Sequence, residues 1–163
     1  MTGKRVAWLA ALVLAAGVLY AAAYRAVQPV GTDSGQIRGA LVDAVDALRH
    51  GRAGDAMRVV SPEYKDSTGM NYARLRLLAR QAARNRDMWD ATVESVEPVV
   101  TGDTAQVSVT VAIRQTSGGG VTRDTMQLRM EKDPVYAWLI LPTERWRVTG
   151  ADHLPSEATG FLD

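Results

Sequence analysis

Residues 105–114 read AQVSVTVAIR, and the strict alternation of this stretch decides the architecture. Ala105, Val107, Val109, Val111 and Ile113 share one face, while Gln106, Ser108, Thr110, Ala112 and Arg114 share the other. Successive strand side chains point to opposite faces, so a period of two marks a half-buried β-strand. Upstream, Trp89, Ala91 and Val93 alternate with Asp90, Thr92 and Glu94, and the phase slips near Ser95 and Val96. Such a slip predicts a β-bulge. Thr101-Gly102-Asp103 is a turn between these two strands, and residues 117–120 (SGGG) form a flexible hairpin connection to a third. In that third strand Met126, Leu128 and Met130 face inward, opposite Gln127, Arg129 and Glu131. A last strand is expected over residues 145–152 (RWRVTGAD), with Trp146 and Val148 inward.

Before residue 87 the period is that of a helix. Ile37, Leu41, Val45 and Leu48 recur at helical spacing behind Asp33 or Ser34 as N-cap, with Gln36 placed to complete a capping box with Asp33. His50-Gly51 stops this helix. A shorter helix is expected over residues 53–60, with Met57 and Val60 inward and Ser61-Pro62 ending it. After a polar loop at 63–69, a third helix covers about residues 71–86, with Leu75, Leu78, Ala79 and Ala82 as its buried stripe. Helices followed by an antiparallel meander argue an α+β domain, with about three helices packed on one face of a curved sheet.

Residues 6–24 (VAWLAALVLAAGVLYAAAY) carry no charged side chain. A transmembrane helix needs about 20 mostly apolar residues, because lipid offers the backbone no hydrogen-bond partners. Lys4 and Arg5 precede the run and only Arg25 follows closely, so the positive-inside rule puts the N-terminus in the cytoplasm. Trp8, Tyr20 and Tyr24 sit near its ends, where amphipathic rings favour the interface. A cleaved signal peptide is the competing reading, through the A-x-A pattern of Ala21 and Ala23. Signal cores of about 7–15 residues are shorter than this run, which favours an anchor. The expected organisation is a cytoplasmic segment 1–5, a transmembrane helix 6–24, a linker 25–33, a domain 34–153 and a loose tail 154–163. The expected location is a bacterial inner membrane, crossed once, with the domain extracytoplasmic.

The net charge of +1 gives no bias toward nucleic acid, and none is expected as a partner. There is no cysteine, which excludes disulfides, zinc-thiolate sites and thiol catalysis. With 2 histidines, His50 and His153, a histidine-rich metal site is implausible, and neither metal nor cofactor is expected. No Ser–His–Asp, P-loop or dinucleotide signature is present.

The order of elements resembles the nuclear-transport-factor-2-like superfamily, a cone-shaped cystatin-like α+β fold. The residues that carry the resemblance are the first helix at 34–49, the short second helix, and residues 61–66 (SPEYKD) before a third helix. The bent strand from Trp89 and the final R-W-R-V strand complete it. The resemblance implies a fold that hosts isomerases, cyclases and dehydratases. It equally hosts non-catalytic, membrane-tethered domains of bacterial envelope assemblies, so fold alone does not choose. One departure is an apolar insertion at residues 133–144 (DPVYAWLILPTE), containing Tyr136, Trp138, Leu139 and Ile140. It either extends a strand and covers the sheet or offers a docking patch to a partner or membrane.

An enzyme of this fold would need convergent acids, bases or phenols inside the cone. The inward strand positions offer none. Tyr64, Asp66, Tyr72, Asp87 and Trp89 are the pocket candidates, although Tyr64 and Asp66 flank a loop where an aspartate more often fixes a turn. Arg76, Arg80 and Arg84 repeat every four residues with no acid between Asn71 and Arg86. The stripe either pairs with carboxylates of the first helix or sheet or meets an anionic partner. These readings converge on a non-catalytic, membrane-tethered domain for protein interaction or envelope assembly, with self-association possible. The alternative is a small-molecule binding protein or enzyme that uses the cone as its pocket.

Overall fold

The computed structural model describes residues 19–23, 31–118, 120–137 and 141–152, the last two spans without the side chains of 135–137, 141 and 142. The described residues fall into two compact units. One comprises residues 31–133 with 146–152, and the other residues 19–23 with 134–137 and 141–145. Residues 19–23 are helical. The rest of the expected anchor at 6–24 lies outside the described residues, as do the tail and His153. Among the described residues no helix is long and apolar enough to cross a membrane.

The chain is α+β. Helix α1 (Asp33–Arg49) is followed by a one-turn helix α2 (Ala53–Ala56) that tightens into a 3-10 turn at Met57–Val59. Helix α3 (Tyr72–Arg84) and a second 3-10 turn at Arg86–Met88 lead into the sheet. Its strands β1 (Trp89–Thr101), β2 (Thr104–Gln115), β3 (Val121–Ala137) and β4 (Leu141–Asp152) lie in sequence order. The order is an antiparallel meander. The expected bulge is present as a register shift between Val93 and Ser95.

The expected inward face of β2 is the core. Val107 is fully buried, and Ala105, Val109 and Val111 are nearly so. Leu128 and Met130 of β3, Trp146 and Val148 of β4, and Ile37 and Leu41 of α1 close over them. Each aliphatic side chain so buried contributes about 1.5–3 kcal/mol before conformational entropy is subtracted.

Three details depart from the expected boundaries. The N-cap of α1 is Thr32, in extended conformation, whose hydroxyl accepts from Gly35 N at 3.2 Å. Neither Asp33 nor Ser34 caps; Gln36 Nε2 instead donates to Gly31 O. The second helix stops at Val59 because Val60 joins β4, forming a parallel bridge with Val148. Ser61 N donates to Val148 O and Lys65 N to Thr149 O, so this segment occupies the outer edge of β4. An unpaired sheet edge is thereby covered. In α3, Ala83 is the buried residue, whereas Leu75, Leu78, Ala79 and Ala82 are half-buried. This helix is capped by Asn71, whose side chain accepts from Arg74 N at 3.0 Å. At its other end Trp89 Nε1 donates to Ala82 O, satisfying one of the carbonyls that a helix C-terminus leaves free.

The insertion at 133–144 is mostly backbone extension of β3 and β4, which run to Ala137 and from Leu141. Tyr136 lies in β3, while Trp138, Leu139 and Ile140 lie outside the described residues.

Candidate functional site

Between Ser61 and Asn71 the chain makes a tight loop that holds Tyr64 and Asp66. Tyr64 is 2 % exposed and packs in the apolar cluster with Ile37, Val107 and Trp146. Its hydroxyl donates to Asp66 Oδ2 at 3.3 Å. Asp66 Oδ1 accepts from Thr68 N at 2.9 Å, Thr68 Oγ1 at 2.8 Å and Met70 N at 2.8 Å. Burial raises the Tyr64 pKa, and the Asp66 charge adds to the rise. Burial also works against ionisation of Asp66, but the hydrogen bonds from Thr68, Met70 and Tyr64 outweigh it and lower its pKa. The pair is therefore a neutral phenol on a carboxylate whose lone pairs serve its own turn.

Of the other pocket candidates, Tyr72 and Trp89 are half-buried against the same apolar cluster. Asp87 is not brought there. It sits on the 3-10 turn before β1 with its side chain 91 % exposed, 3.7 Å from Arg86 Nε. The fold thus gathers Tyr64, Tyr72 and Trp89 as packing, keeps Asp66 beside them in a turn, and leaves Asp87 in solvent.

A polar cleft of about 270 Å³ adjoins the same loop, lined by Ser61, Pro62, Glu63, Glu131, Lys132, Asp133, Arg147 and Thr149. None of the five pocket candidates lines it. Glu131, Asp133, Arg147 and Thr149 alternate with the buried Met130, Trp146 and Val148, so they face away from the apolar interior. Arg147 Nε lies 3.0 Å from Asp133 Oδ2, yet its N–H is not aimed at that oxygen, so the attraction is Coulombic rather than a hydrogen bond. Lys132 Nζ lies 3.3 Å from Asp33 Oδ2 and 5.3 Å from the Trp146 ring centroid. The strand alternation could have located this outward set. Its closure by residues 61–63 could not be read, because that depends on the loop folding onto β4. Among the described residues no group of three His, Cys, Asp or Glu side chains is placed to hold a metal ion.

The third site is the outer face of α3. Arg76, Arg80 and Arg84 are exposed, with Arg74 beside them and Leu77 62 % exposed among them. Elsewhere arginines find carboxylates: Arg49 with Asp90, Arg58 with Asp55, Arg123 with Glu94. Among the described residues the side chains of Arg74, Arg76, Arg80 and Arg84 form no ion pair, so the expected pairing with α1 or the sheet is not made.

No protein-family model and no curated protein matches the sequence. Solved structures do match the fold. The CaMKII hub of S. rosetta superposes with a TM-score of 0.59 at 17 % identity, over 76 % of this chain and 95 % of that one. An NTF2-like protein with a cystatin-like fold from Novosphingobium aromaticivorans gives 0.54 at 14 % identity, over 80 % and 89 %. Bdellovibrio bacteriovorus Bd1075 gives 0.53 at 9 % identity over 69 % of this chain, which spans 36 % of that longer protein. The helices followed by an antiparallel meander and these superpositions agree: the chain has the cystatin-like fold of NTF2-like proteins.

Proposed function

We propose that this chain is a non-catalytic, membrane-tethered bacterial envelope domain that works by interaction and assembly. The tether is the uncharged run at 6–24, with the domain on the extracytoplasmic side. One observation supports the non-catalytic reading above the others. The buried phenol Tyr64 is the polar group best placed for chemistry beside the apolar interior, and its partner Asp66 is held by three bonds from its own turn. A general acid–base pair has to exchange protons with a substrate within hydrogen-bond reach. A carboxylate whose partners are Thr68, Met70 and Tyr64 is built to hold a loop. The alternative, a small molecule in the cone, would need a polar group free to receive it.

A protein described as a hub shares this fold, which supports assembly as the mode of action and self-association as one form of it. The test is crosslinking in intact membranes followed by affinity capture of the full chain. Discrete crosslinked species, with the chain itself or a partner, are expected. A chain that is recovered as a monomer at every crosslinker concentration would sink the reading.

A further inference from the structure

We infer that the outer face of α3 docks on the anionic lipid surface of the membrane that holds the chain. The inference takes the tether from the reading above and goes beyond it in assigning a surface and a ligand, phosphate-bearing lipid headgroups. Arg76, Arg80 and Arg84 stand one above the next, since residues four apart share a helix face. At a rise of about 1.5 Å per residue their guanidinium groups form a basic strip about 12 Å long. No acid lies between Asn71 and Arg86, and none of the three arginines is neutralised among the described residues. Leu77 projects 62 % exposed beside Arg76 and Arg80, and Met88 is 66 % exposed just past the helix end.

The apolar face of α3 is turned to the fold, so its outer face meets a bilayer through the arginines, which attract lipid phosphates, with Leu77 beside them. An acidic protein face would satisfy the arginines equally, so proximity to the bilayer decides for lipid. The linker sets that proximity. Residues 25–32 separate the apolar run from the start of α1, and a chain spans at most about 3.3–3.6 Å per residue. The domain therefore stays within a few nanometres of the headgroups, and a weak surface contact becomes an intramolecular one.

The chain has no cysteine, so Leu77→Cys gives a single labelling site on an exposed position. The labelled full chain is reconstituted in vesicles of phosphatidylcholine alone or mixed with phosphatidylglycerol, and quenching by a lipid-phase quencher is read. Quenching is expected only with phosphatidylglycerol. It should weaken at about 1 M salt, where the screening length falls to about 3 Å. Each of Arg76→Gln, Arg80→Gln and Arg84→Gln should lower the docking equilibrium about fivefold. Arg58→Gln and Arg123→Gln, elsewhere on the surface, should leave it unchanged. Circular dichroism of each variant confirms that the helices are intact.

Equal quenching on both vesicle types, or control variants that act as strongly as the α3 variants, would overturn the inference. So would a label shielded in native membranes but not in phosphatidylglycerol vesicles, which would assign the face to an acidic protein. Flotation separates this inference from the tether. A chain that fails to float with phosphatidylcholine, yet floats with phosphatidylglycerol in an arginine-dependent way, loses the tether and keeps the docking face.

Discussion

Trp146 Nε1 donates to Asp33 Oδ1 at 3.2 Å, joining the first turn of α1 to β4 across 113 residues of sequence. The other Asp33 oxygen lies 3.3 Å from Lys132 Nζ, and that ammonium rests over the Trp146 ring. The three side chains pin the first turn of α1 to β3 and β4. Asp33→Ala should destabilise the domain by about 1–3 kcal/mol, since the buried indole N–H loses its acceptor. Trp146→Phe should cost less than Trp146→Ala, which adds a cavity worth about 3–5 kcal/mol. Urea unfolding of the full chain in detergent, followed by far-ultraviolet circular dichroism, measures both. An Asp33→Ala variant as stable as the parent would mean that water replaces the bond.

Capping offers a contrast between neighbours. Thr32 caps α1 and Ser34 does not, so Thr32→Ala should cost about 1 kcal/mol. Ser34→Ala should be near neutral in the same unfolding experiment. The reverse order would restore the cap one would choose from sequence.

The loop carries a pH dependence with a defined sign. The Asp66 carboxyl has a lowered pKa in the fold, so its contribution is present above the unfolded carboxylate value, about 4. It is lost as pH falls through the folded value. Asp66→Asn should flatten this acid limb. Tyr64 has a raised pKa, so its contribution is intact below the unfolded tyrosine value, about 10, and declines as pH rises above it. Tyr64→Phe should remove that alkaline decline and cost about 1 kcal/mol or less near neutral pH, because Asp66 keeps its other donors. Unfolding midpoints measured across pH for the two variants and the parent check both limbs.

Gly150 is required for space. A Cβ there would lie 2.9 Å from Lys65 O and 2.7 Å from Arg129 Nη2. Arg129 can swing aside, but the Lys65 carbonyl belongs to the backbone that covers β4. Gly150→Ala should therefore destabilise by about 1–3 kcal/mol. Adding Arg129→Ala should not rescue it, and full rescue in the double variant would show that only the side chain was in the way.

Much of the fold was legible because it is local. Alternation in residues 105–114 set the inward face of β2, and the phase slip near Ser95 marked the bulge, since strand period is a property of neighbouring residues. The helices were read by the same logic to within a few residues. The arginine repeat of α3 could be seen in the sequence, but not whether those arginines were neutralised. That depends on where carboxylates from distant segments arrive, and the fold brings none to this face among the described residues.

The sequence by itself determined which elements form and which face of each is apolar. Only the tertiary structure decided what the polar groups do. It gave the cap to Thr32 and sent Asp33 to Trp146, laid residues 60–65 along β4, and committed Asp66 to its own turn. The physical reason is one of range. Hydrophobic periodicity is read over a few residues, whereas a hydrogen bond needs donor and acceptor within about 3 Å, and only the folded path brings distant groups that close.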